Sequence, residues 1–258
     1  MASKDTVKKT ITVTILLCLV CSVVVSATAV LLRPMQIANQ ELDVKRNILA
    51  AVGLLDAQRG IEEIFQERVV SRVVDLRTGE YTDAITVEEY NQSRIARDRA
   101  TSTGLSRAED VAGIQRRENY AIVYLVEDLD GEVEAIVLPV RGYGLWSTMW
   151  GFLALDADAS TVRGLSFFEH GETPGLGGEI ENPRWQARWE GKQVYDDQGE
   201  VAISVIKGSV DPDAPGAQHR VDGLSGATLT ARGVHNMMQF WLGERGFKPY
   251  LMSRKEEA

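Results

Sequence analysis

Two short segments of the chain concentrate residue types that can hold a ligand. The first is Asp222-Gly223-Leu224-Ser225-Gly226-Ala227-Thr228, followed at once by the helix-patterned run Leu229 to Gly243. A helix start exposes unpaired N–H groups and the positive end of the helix dipole, which together favour an anion such as phosphate. Ser225 or Thr228 can cap that helix. Their hydroxyls can also carry phosphate chemistry. By residue chemistry alone capping is the leading explanation, because small polar residues before a helix are common. The second segment runs from Glu169 to Glu179 and packs four glycines, a proline and three acids into eleven residues. So much backbone freedom suits amides that must lie against a flat ligand.

Other constellations are absent. The three histidines, His170, His219 and His235, are far apart and lack metal-ligand spacing. There is no nucleophile elbow, no phosphate-binding Walker loop and no dinucleotide fingerprint opening a helix. Asp211 and Asp213 flank Pro212 and read as a turn. Cys18 and Cys21 are the only cysteines and lie in an apolar run, where they act as small apolar residues. A net charge of −9 excludes a general nucleic-acid binder.

The elements that must position the two segments follow from patterning. Thr10 to Leu32 carries no charge and, as a helix, spans about 34 Å, enough to cross a bilayer core. Lys4, Lys8 and Lys9 precede it, and Arg33-Pro34 is expected to close it. Ala27-Thr28-Ala29 has the form of a signal-peptide cleavage site, but the run exceeds the ~7–15 residues of a signal core, which favours a retained anchor. Arg33, Lys45 and Arg46 nearly balance the leading lysines, so orientation rests on the short leading tail and long following part. That arrangement suits a cytoplasmic tail with the domain outside.

Beyond the anchor, Gln36 to Leu55 and Gln58 to Arg68 read as helices, Arg72 to Leu76 as a strand and Thr86 to Arg97 as an exposed helix. Residues 98–114 read as loop. Tyr120 to Val126 and Val133 to Val140 flank Asp128-Leu129-Asp130-Gly131, a hairpin signal. Gly142 to Trp146 reads as a loop. Met149 to Leu155, Val162 to Phe168 and Val201 to Ile206 read as strands, and Asn182 to Glu190 as a short helix. Strands fill the middle and helices the ends, so the expected class is α+β. The expected segments are a tail over 1–9, a transmembrane helix over 10–32, a helical connector over 33–118 and the principal domain over 119–258.

The motifs taken together resemble a known family. Asp222-Gly223-Leu224-Ser225-Gly226-Ala227-Thr228 resembles the flavinylation motif of proteins that carry FMN on a threonine. Glu172-Thr173-Pro174-Gly175-Leu176-Gly177 resembles the glycine-rich motif of FMN-binding domains in Na⁺-translocating NADH:quinone reductase and Rnf complexes. GLWSTMWGFLAL (144–155) and HGETPGLGGEIENPRW (170–185) are similar to the C subunit of the quinone reductase, and the likeness covers essentially the whole chain.

The resemblance implies an extracytoplasmic FMN-binding domain with a mainly antiparallel sheet and flanking helices. It implies FMN joined to Thr228 through a phosphoester by a flavin transferase that uses FAD. Asp222, Ser225, Gly226 and Ala227 would complete the motif that the transferase reads. It implies an electron carrier in a bacterial inner-membrane assembly of six subunits, with the B, D and E subunits as notable partners. Electrons would pass from an iron–sulfur centre to the FMN of the B subunit, towards ubiquinone, with Na⁺ export. Glu172, Thr173 and Leu176 would line the isoalloxazine edge. Lys207 would place a cation near it, or be a plain surface lysine. Trp146 would stack on the ring, or be a core residue. The alternatives are an FMN-carrying subunit of an Rnf-type complex and a cofactor-free anchored binding domain.

Overall fold

The computed structural model describes residues 6–257, which fall into two units divided between Asp43 and Val44. The first unit is helical from Val7 onward. Helix α1 runs Val7–Ala51, and its apolar part is long and apolar enough to cross a membrane, with a mean hydropathy of 2.8 over its best window. Pro34 does not close this helix as expected but lies inside it. Proline lacks the N–H that would bond the carbonyl of Val30, so a single rung is missing while its fixed φ still suits the helix. The second helix read over Gln36 to Leu55 is therefore the same element, and it ends at Ala51, where Leu54 N–H turns back to the Leu49 carbonyl at 2.9 Å.

The second unit is built on a sheet. In chain order it comprises α2 (Ile61–Arg68), β1 (Val69–Asp75), β2 (Glu80–Tyr81), α3 (Gln92–Arg97), β3 (Ser102–Gly104), β4 (Arg116–Glu118), β5 (Tyr120–Glu127) and β6 (Val133–Tyr143). Then follow β7 (Thr148–Asp156), β8 (Val162–Glu169), α4 (Pro183–Gln186), β9 (Ser204–Val205), β10 (Arg220–Val221), α5 (Thr228–Trp241) and α6 (Lys248–Glu257). Six strands form one antiparallel sheet in the order β2-β1-β5-β6-β7-β8. The class is α+β, as patterning indicates.

Alternation along the strands covers both faces. Leu153 and Leu155 of β7 join the main core with Ile136, Leu138, Met237, Trp241 and Phe247. Phe152 and Ala154 point the other way, onto Ile48, Ala51 and Val52 at the end of α1. A strand buried on both sides explains the near-continuous apolar run of β7. Arg163 Nε reaches the Val52 carbonyl at 3.2 Å and Ser166 Oγ the Asn47 carbonyl at 3.0 Å, satisfying two acceptors near the helix end. Gly164 sits directly under the Ala51 carbonyl, where a Cβ would collide with backbone. Gly164→Ala is therefore expected to cost about 1–3 kcal/mol, as overpacking does, and to lower the thermal unfolding midpoint by several degrees.

Several local expectations give way to longer-range pairing. The helix read over Thr86 to Arg97 is only α3, capped where Asn91 Oδ1 accepts from Arg94 N–H at 2.9 Å, and Ile95 and Ala96 are buried rather than exposed. Within 98–114, read as loop, β3 pairs with β4. Glu118 at the end of β4 meets Arg141 of β6 in a buried ion pair at 2.7 Å. The loop read over Gly142 to Trp146 begins later, because β6 continues to Tyr143 opposite Thr148. Of Val201 to Ile206, Ser204 and Val205 form a short strand, in parallel with Arg220 and Val221, and Val201 makes a single antiparallel bridge with Tyr195.

Candidate functional site

The site is organised by the start of α5. This helix is fixed to the sheet by Trp241, whose indole N–H donates to the Arg141 carbonyl at 2.7 Å. The residue before it, Ala227, is the N-cap and makes no side-chain capping bond. The capping expected of Ser225 or Thr228 is thus absent: Ser225 comes two residues too early and Thr228 is already the first helical residue. The ladder begins with Ala231 N–H to the Ala227 carbonyl at 3.0 Å. The amides of Thr228, Leu229 and Thr230 precede it, which is the condition under which a helix start holds an anion.

The approach to the helix is braced from behind. Asp222 Oδ1 accepts from Val210 N–H at 2.8 Å, its carbonyl accepts from the Trp185 indole at 2.9 Å, and its carboxylate pairs with Arg188. Asp222 thereby fixes the turn rather than presenting a free carboxylate. Gly226 turns with φ of 73°, a conformation side chains rarely adopt, and a Cβ there would come within 3.1 Å of Leu176 Cδ2. Ser225, Gly226 and Thr228 are exposed, while Ala227 is buried.

The glycine-rich loop meets the same place through Glu172. This side chain is only 5% exposed. Oε1 accepts from the amides of Leu145 (3.0 Å) and Trp146 (2.9 Å), and Oε2 accepts from Thr230 Oγ1 at 2.5 Å. One carboxylate therefore ties together the β6–β7 turn, the glycine-rich loop and the first turn of α5. Burial pushes the Glu172 carboxyl up, but these bonds outweigh it and hold it below the usual carboxylate range. Glu172 N–H donates to His170 Nδ1 at 3.1 Å, and His170 Nε2 lies 2.9 Å from Glu181 Oε1. The Thr173 carbonyl accepts from Leu176 and Gly178 N–H at 3.1 and 2.9 Å, and the Thr173 side chain is exposed. Trp146 is 64% exposed and Leu176 45%, so the tryptophan is not a core residue.

Thr228 opens onto a cleft of about 280 Å³ lined also by Lys207, Leu224, Ala231, Arg232 and His235. Lys207 is exposed at its rim. His235 Nδ1 is buried with no partner among the described residues, and burial lowers the ring's basicity. Uncapped amides, two cations and an orphaned polar nitrogen suit an anionic ligand with further polar atoms. Residue chemistry and motif alone do not single out Arg232 and His235. Their spacing of four and seven residues from Thr228 puts all three on one helix face, and that periodicity is the signal in the sequence that could find them.

Residues 144–243 match the FMN-binding domain family. The chain is 50% identical over its whole length to the whole of the C subunit of Na(+)-translocating NADH-quinone reductase from Pseudomonas aeruginosa. It is 47% identical to the protein of the same name from Yersinia pestis, over 99% of this chain and 96% of that one.

The chain belongs to the C-subunit family of Na⁺-translocating NADH-quinone reductases.

Structures agree. The crystal structure of Shewanella oneidensis NqrC superposes with a TM-score of 0.78 at 34% identity, covering 85% of this chain and 99% of that one. The C subunit from Parabacteroides distasonis gives 0.65 at 26% identity, covering 85% and 96%. As a member of this family, the chain is part of an oxidoreductase complex and carries an FMN-binding domain. The Rnf-type and cofactor-free alternatives are set aside by these relationships. The matched segment holds every residue from Trp146 to Thr228 expected at the cofactor.

Proposed function

We propose that the chain is the electron-carrying subunit of this complex and holds FMN through a phosphoester on Thr228. The observation that carries the reading is an exposed threonine hydroxyl at the first position of an uncapped helix, beside a cleft bearing Lys207. Bound there, FMN would supply the redox chemistry of a carrier between an iron–sulfur centre and the FMN of the B subunit, on the way to ubiquinone and with Na⁺ export by the complex.

The chain's own residues bind and orient. The Thr228, Leu229 and Thr230 amides stabilise the phosphate charge, which the helix dipole also favours. Ser225, Gly226 and Ala227 leave the hydroxyl open to a flavin transferase, and Asp222 holds the turn in that shape. Leu176 and Trp146 offer exposed apolar surface to the ring, with Thr173 at its edge. Lys207 places a cation by the cofactor, which favours a reduced, anionic form. Glu172 acts from behind by fixing the three segments.

In this reading α1 crosses the inner membrane once, with a cytoplasmic N-terminus, a periplasmic domain, and the B, D and E subunits as neighbours. Co-expression with a flavin transferase tests the assignment. The precipitated, washed protein is expected to stay yellow, and the peptide containing Thr228 to gain the mass of FMN less water. An unmodified Thr228 peptide from such cells would refute the attachment.

A further inference from the structure

We infer that Arg232 is the cation that grips the phosphodiester and fixes the direction in which the cofactor leaves Thr228. The inference rests on attachment at Thr228. Arg232 follows Thr228 by four residues in α5, and both line the same cleft. Side chains four apart on a helix are neighbours, with Cβ atoms about 5–6 Å apart. They also tilt toward the N-terminus, so Arg232 leans back over the turn that begins at Thr228.

Its charge is available. Arg232 is exposed and forms no ion pair among the described residues. The cleft lining contains Lys207 as well as Arg232, and no carboxylate. Two cations facing one cleft repel each other until an anion lies between them. A phosphodiester on Thr228 keeps one negative charge and two free oxygens, which match the guanidinium fork. The helix amides take the phosphate from the axis and Arg232 takes it from the side. An ester held from two directions loses its freedom to swing about the Thr228 side chain. The direction in which the cofactor leaves Thr228 is then set by the helix amides and Arg232 together.

The test uses the detergent-solubilised full chain, with and without FMN loaded by a flavin transferase from FAD. Wild type, Arg232→Gln and Arg232→Lys are compared by phosphorus NMR and by thermal unfolding. Loading is expected to raise the wild-type unfolding midpoint more than that of Arg232→Gln, with Arg232→Lys between them. The phosphodiester resonance of Arg232→Gln is expected to move from the wild-type position. A resonance and a loading-induced rise in Arg232→Gln equal to those of wild type would overturn the role of Arg232. A wild-type Thr228 peptide without the adduct overturns the attachment itself, and the inference with it.

Discussion

Thr228→Ala is expected to give a folded, colourless protein. The Thr228 side chain is exposed, makes no hydrogen bond with the described residues and does not cap α5. Alanine is a better helix former than threonine, so stability should change by less than about 0.5 kcal/mol. The loss is chemical and complete, since no other atom at the first helical position can carry the ester. A denaturing gel should show no covalent flavin fluorescence while circular dichroism remains that of wild type. Retained fluorescence would place the adduct elsewhere, and Ser225 would be the first residue to examine.

Glu172→Ala should damage both stability and site. The carboxylate accepts three charge-assisted hydrogen bonds, each worth about 1.5–3 kcal/mol, and the Thr230 hydroxyl it serves belongs to a fully buried residue. The Leu145 and Trp146 amides lie in exposed residues and can turn to water, so the expected net loss is roughly 3–5 kcal/mol. The β6–β7 turn would no longer be tied to α5, and Trp146 would lose its fixed place beside the helix start. The dependence on pH has a definite sign. Because the folded carboxyl lies below its usual range, its contribution is full above the unfolded value of ~4.3 and fades as pH falls through the folded one. The stability gap between wild type and Glu172→Ala in denaturant titrations should therefore narrow in acid. A gap that stays constant down to strongly acidic pH would remove the charge from the explanation.

Much of the molecule is legible from local pattern. The apolar run, the hairpin at Asp128 to Gly131, the five longer strands of the sheet and α5 all follow from hydrophobic period and turn residues, which need no distant partner. Where local pattern misleads, the reasons are physical. Pro34 reads as a stop, yet a helix that continues past it loses only one rung. Over Thr86 to Arg97 a partner far along the chain decides against local propensity, and over Gly142 to Trp146 pairing across a tight hairpin to Met149 and Thr148 does so. Gln92 at the start of α3 bonds Glu118, which itself pairs with Arg141. No window of neighbouring residues contains that triad.

The site divides in the same way. The sequence by itself determined that a hydroxyl, Thr228, stands at a helix start behind small residues, and that a glycine-rich loop follows the strand ending near Phe168. Those are properties of residue type and spacing. Only the tertiary structure decided that the helix is uncapped, that Glu172 and Asp222 are internal braces, and that Arg232 and His235 share the Thr228 cleft with Lys207. A carboxylate in a sequence carries the same charge whether it faces a ligand or a buried hydroxyl. Which of the two it does depends on the donors that folding brings within about 3 Å, and for Glu172 these come from two other segments.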